Sequence, residues 1–108
     1  MTTGNRQAAV FWHNNPAGIL QETQEGFSFT YDGNFRSHNG RPISATLPLE
    51  NSPFHSKELF PFFAGLLPEG WYLNVITQKY KIDQNDVFGL LLAVCRDTIG
   101  AVTIEEIK

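Results

Sequence analysis

Hydrophobic and polar positions alternate through the first third of the chain. Val10 and Trp12 interleave with Phe11 and His13, and Asn14-Asn15-Pro16-Ala17-Gly18 follows as turn chemistry, so residues Ala8 to His13 and Gly18 to Glu22 are predicted to form a hairpin. A turn at Thr23 to Gly26 leads to Phe27-Ser28-Phe29-Thr30-Tyr31, whose aromatics recur every second residue, the signature of a half-buried strand. Asp32 to Pro42 is polar, contains Gly33 and Gly40, and reads as a loop with room for a short strand. Ile43, Ala45, Leu47 and Leu49 alternate again, in a fourth strand that Pro48 keeps from being long or central.

From Ser56 the period becomes helical. Leu59, Phe62, Phe63, Leu66 and Leu67 share one face, Pro61 is tolerable only in the first turn, and Pro68 ends the helix. Glu69 to Lys81 gives a second helix with Leu73, Ile76 and Tyr80 in a stripe; Asp83 caps a third, with Val87, Leu90, Leu91 and Val94 inward. After a break at Arg96 to Gly100, Ala101 to Glu105 forms a last strand with Val102 and Ile104 inward. The order predicts an α+β fold: a small antiparallel sheet, made of the N-terminal hairpin, the meander strands and a C-terminal strand, packed with three helices. At 108 residues this is one domain, spanning residues 1–108.

Composition narrows the function. Hydrophobic residues make up 42% and charged residues 18%, a globular balance. A net charge of −3, with eight scattered basic residues, argues against direct nucleic-acid binding, which needs clustered Lys and Arg. The single cysteine, Cys95, lies in an apolar run and reads as a buried free thiol in a reducing cytoplasm. The run from Val87 to Cys95 is too short for a bilayer, and Ala8 to Trp12 after one Arg6 is too little for a secretory signal.

Candidate chemistry is sparse. The nine glycines are spread through turns with no phosphate cradle, and no lysine and acid set accompanies them as nucleotide chemistry requires. His13, His38 and His55 stand far apart, without a further ligand at metal spacing. Glu69 is adequately explained as a charge complementing the dipole at the start of the second helix. No catalytic residue, cofactor or metal is expected.

Three stretches carry a family resemblance. Phe62-Phe63-Ala64-Gly65-Leu66-Leu67-Pro68-Glu69-Gly70-Trp71, Asp86-Val87-Phe88-Gly89-Leu90-Leu91, and Arg96-Asp97-Thr98-Ile99-Gly100-Ala101-Val102 resemble, in order, motifs of the N-terminal subdomain of HipA-type kinases. In HipA itself a much longer kinase core follows. In three-component relatives the subdomain is a separate small antitoxin, HipS, which neutralises the kinase toxin HipT, while HipB supplies a DNA-binding helix-turn-helix. The resemblance thus implies a bacterial toxin-antitoxin function without chemistry of its own: steric or conformational inhibition of a HipT-like kinase, in a complex that includes a HipB-like protein. The chain opens at Met1 and stops soon after the third motif, which fits the separate subunit; an N-terminal fragment of a full-length HipA kinase is the alternative.

A binding subunit needs an exposed anchor. Trp71 falls nearly opposite the stripe of Leu73, Ile76 and Tyr80, and the candidate interface is therefore Trp71 with its neighbours Pro68, Glu69, Gly70 and Tyr72. The competing reading has the indole packed beneath the strands, with Val75 on the same side of the helix. Trp12 and the cluster of Phe60, Phe62 and Phe63 read as core. Ser37 to Pro42, with Arg36 and Arg41, is at most an interface rim.

Overall fold

The alternation at the N-terminus builds an antiparallel meander: β1 (Gln7–Trp12), β2 (Asn15–Thr23) and β3 (Gly26–Tyr31). In this computed structural model, which describes residues 6–39, 41–50, 52–67, 70–83, 85–95 and 102–107, with the backbone alone at 38, 39 and 70–73, two further strands complete the sheet. They are β4 (Phe54–Ser56) beside β3 and β5 (Val102–Ile107) beside β1, giving the antiparallel order β4-β3-β2-β1-β5. Among the described residues four helices accompany them: α1 (Gly33–Asn39), α2 (Pro61–Ala64), α3 (Gly70–Tyr80) and α4 (Val87–Cys95). The α+β class, the N-terminal meander and the C-terminal strand are as expected, but the fourth strand lies at Phe54–Ser56 rather than within Ile43 to Leu49, and the described residues form four helices rather than three.

The first hairpin is tighter than predicted. His13 and Asn14 form a two-residue turn with φ of 51° and 69°, the type I′ pattern whose twist matches the strands it joins. Asn15-Pro16-Ala17 belongs to β2 instead of the turn. Between Val10↔Gly18 and Phe11↔Pro16 the register shifts by one, leaving Ala17 as a bulge residue whose carbonyl accepts the Asp32 N–H at 2.7 Å. Pro16 is tolerated beside that bulge, where a missing donor disturbs the ladder least.

One face of the sheet carries the core. Ala8 and Val10 of β1, Leu20 of β2, Phe29 and Tyr31 of β3, and Val102 and Ile104 of β5 are buried there, against Phe35 of α1, Phe63 of α2 and Phe88, Leu91 and Cys95 of α4. Phe60 belongs to the same core, while Phe62 and Trp12 pack against it partly buried. The Phe29 ring lies over Gly18 and meets Phe63 at 5.5 Å between centroids. Burial pushes the Cys95 thiol up to about 11, the state of an inert structural cysteine.

Three segments depart from the sequence reading. Residues expected as a loop form α1, because Asp32 Oδ2 accepts the N–H groups of Asn34 and Phe35 at 3.0 and 3.2 Å, and Phe35 is buried in parallel stacking with Tyr31. The alternating run Ile43 to Leu49 is not a strand: Ile43 and Leu47 are buried, but Ala45 is exposed in a turn bridged between Ser44 and Leu47. There the Tyr31 hydroxyl accepts the Ile43 N–H at 3.1 Å and donates to the Leu47 carbonyl, so a side chain replaces the strand partner that this backbone lacks. Ser56, expected to open a helix, ends β4; α2 starts only at Pro61, in the first turn as its missing N–H requires.

Among the described residues no helix is long and apolar enough to cross a membrane. A Cβ at position 18 would lie 2.4 Å from the Thr30 carbonyl oxygen and 2.8 Å from the Phe29 ring. Gly18→Ala is therefore expected to cost about 1–3 kcal/mol, as overpacking against backbone does; the midpoint of urea unfolding checks this.

Candidate functional site

The residues that sequence reasoning selected surround the start of α3. Pro68 and Glu69 lie outside the described residues, as do the side chains of Trp71 and Tyr72; the backbone of Gly70, Trp71 and Tyr72 forms the first turn of the helix. Asp97 and the rest of the third motif also lie outside them.

The remainder of α3 is well placed for contact with another molecule. It packs chiefly on α4. Ile76 is its buried side chain among the described residues, while Val75 and Tyr80 are 42% and 45% exposed. Val75 follows Trp71 by four residues, one helical turn along the same face. That side is open at Val75.

The placing of Tyr80 in the buried stripe is corrected. It stands at the last turn, where Lys81 turns left-handed at φ 55° and Ile82 N–H donates to the Thr77 carbonyl at 3.0 Å. With the helix closed there, the Tyr80 ring faces solvent beside Lys79, whose Nζ is 5.5 Å from its centroid.

A polar cluster fixes the elements around this helix. Arg6, at the entry to β1, donates to both carboxylate oxygens of Glu22 at 2.8 and 2.9 Å and to both of Asp86 at 2.6 and 3.2 Å. Its guanidinium carbon also sits 5.2 Å from the centroid of Phe88. Asp86 in turn accepts the Gly89 N–H at 3.1 Å and caps α4, the role expected of Asp83, which instead accepts the Asn85 N–H in the preceding turn. The Arg6 guanidinium holds the Asp86 carboxyl below the usual carboxylate range, against the opposing effect of burial. Among the described residues no other carboxylate or amine is drawn into this cluster.

The second motif now has a physical meaning. Asp86 caps, Phe88 lies under Arg6 and parallel to Phe27 at 6.3 Å, Leu90 and Leu91 enter the core, and a Cβ on Gly89 would fall 2.4 Å from Asp86 Oδ2. The sequence reading gave the cap to Asp83 and so missed Asp86, although an Asp three residues ahead of a helical N–H was the signal that could have found it. Arg6 is 80 residues from Asp86, and no local signal pairs them.

Other surfaces offer less. A shallow groove of about 540 Å³ beside the β2–β3 turn is lined by Thr23, Glu25, Phe27, His55, Ser56 and Lys57, a mixture without concentrated charge. Arg36 lies on α1 rather than in a loop, with its Nε enclosed and unpaired among the described residues, and Arg41 is exposed. His13 sits in the hairpin turn with its ring edge-on to Trp12, whereas His55 is exposed on β4.

Comparison with known proteins decides the family. The family model described as HipA N-terminal domain matches residues 8–105. The chain belongs to the HipA N-terminal domain family. It superposes on a solved N-terminal domain of HipA toxin with a TM-score of 0.73 at 35% identity, covering 100% of this chain and 98% of that one. An uncharacterised protein of Haemophilus influenzae is 41% identical over 103 residues, 95% of this chain and 94% of its own length. A putative kinase, Y4mE, of Sinorhizobium fredii is 32% identical over 97 residues, which are 88% of this chain but 23% of the kinase. Membership places this HipA-like domain within HipA-related toxin-antitoxin modules.

The Arg6 cluster makes a pH prediction. Because the folded Asp86 value is depressed, its contribution to stability is complete above the unfolded value of about 4 and is lost as pH falls through the lower folded value. Asp86→Asn retains a competent cap but not the ion pair, so it should cost about 1 kcal/mol at pH 7 and flatten the decline below about pH 4. Thermal unfolding of both proteins across that range reads the difference.

Proposed function

We propose that this HipA-like domain is an antitoxin of the HipS kind, which binds a HipT-like serine/threonine kinase toxin and silences it by occupying its surface. The observation that carries the reading is a family match over nearly the whole chain, joined to a helix, α3, that leaves Val75 in solvent one turn beyond the candidate anchor. The relative from Haemophilus influenzae, of almost the same extent, supports a domain that works as a small subunit.

Inhibition here is mechanical. A kinase needs its cleft open and its lobes able to close, and a rigid wedge in either place stops phosphoryl transfer. The first two turns of α3, with Trp71 and Val75 on one face, form that wedge; Pro68, Glu69, Gly70 and Tyr72 frame it. The sequence brings no phosphate cradle, so the domain acts without catalysis, cofactor or metal. A HipB-like helix-turn-helix protein provides DNA contact within the same cytoplasmic complex, which the acidic charge of this chain cannot do.

A second reading follows from the Sinorhizobium relative, in which the matching 97 residues are 23% of a putative kinase: the domain as the N-terminal piece of a HipA-type kinase. The reading frame downstream discriminates. A stop codon followed by a separate kinase frame favours the antitoxin, and uninterrupted coding favours the piece.

Trp71→Ala is expected to weaken binding to the co-expressed kinase about 30-fold, the loss of about 2 kcal/mol typical of a buried aromatic anchor, and Val75→Asp about tenfold. Unchanged thermal melting of both variants and loss of protection from the toxin in cells complete the test. Wild-type affinity for both variants would remove the wedge.

A further inference from the structure

The sheet ends in an edge that no described strand covers. β5 pairs with β1 at every one of its positions from Val102 to Ile107, and among the described residues no strand lies on its other side. The opposite edge, β4, is only three residues long. An edge strand presents outward-pointing backbone N–H and C=O groups, which are a template for another strand.

The side chains at this edge decide what it accepts. Val102 and Ile104 are buried on the helix-bearing face, so alternation puts Glu106 on that face and Glu105 and Ile107 on the open one; all three of the last residues are exposed. A strand laid along the edge thus meets one carboxylate on each face at successive positions. Pairing two copies of β5 with each other would crowd four carboxylates into one short ladder, and like charges facing across strands are destabilising. A segment with two adjacent basic residues answers both charges, one per face. Neither proline nor a bulge interrupts β5 to turn such a segment away.

We propose that the Thr103–Ile107 edge is a docking site for an extended segment of a partner protein that carries two adjacent Lys or Arg residues. This site is separate from the face of α3 and does not rest on its role.

The test titrates the isotopically labelled domain with synthetic peptides of about eight residues, the length of an ordinary strand. One carries Lys-Arg between alternating Val and Thr; a second replaces the pair with Glu-Glu; a third keeps the basic pair but has alternate backbone amides methylated. The expected result is slowed hydrogen exchange and shifted amide resonances at Thr103–Ile107 with the first peptide alone. Glu105→Lys combined with Glu106→Lys, at exposed positions, should weaken the first peptide about tenfold and favour the second. Equal binding of the methylated peptide would reduce the effect to loose charge attraction and overturn strand addition. Absence of any response at β5, or protection that rises with protein concentration alone, would overturn the proposal as well, the latter because a second copy would then be the occupant.

Discussion

Arg6 grips Glu22 at the end of β2 and Asp86 at the head of α4, two carboxylates far apart in sequence on elements that otherwise share only the apolar core. A guanidinium is suited to this: its planar fork gives two aligned donors to one acid and still has donors for the next. The attraction raises the affinity of Arg6 for its proton as it lowers that of Asp86, so both partners stay charged at any pH where the domain is folded near neutrality. The consequence is positional. With Arg6 held over Phe88 at the start of α4, the apolar face of that helix lies against β5 and the shared core, and α3, which leans on α4, is carried to the outside of the molecule.

Much of this architecture was legible because burial imposes a period. Strands β1, β3 and β5 follow from alternation, and α4 follows from its stripe of Leu90 and Leu91, since each has one face against the core. Two of the failures share a cause, in which a single polar side chain takes over bonding that regular structure would otherwise supply. Asp32 turns a polar stretch into α1, and the Tyr31 hydroxyl lets Ile43 and Leu47 be buried without a strand. Both effects depend on one oxygen placed by the fold, and averaging over a window cannot register them.

The candidate surface rests on a different kind of signal. The anchor at Trp71 came from its position on a helix and from the resemblance to HipA; its side chain lies outside the described residues, and Val75, one turn on, is exposed. Tyr80 was misplaced because a helical wheel assumes that the wall it faces is as long as the helix. At the last turn of α3 that assumption ends, and the ring is left to Lys79 and water.

The turns of the meander bear on how this domain tolerates change. At His13-Asn14 the left-handed pair and the bulge at Ala17 together set which side of β2 faces inward, so inserting one residue there would exchange buried Leu20 for exposed Ile19. At Gly26, with φ 147°, any side chain would strike the Ser56 carbonyl oxygen, 2.1 Å from where its Cβ would stand. Neither tip can lengthen or diversify freely. No such restraint acts on the outer helix, where Val75 and Tyr80 stand in solvent and can be exchanged without meeting backbone, so that the surface of the domain is most open to change where its sheet is not.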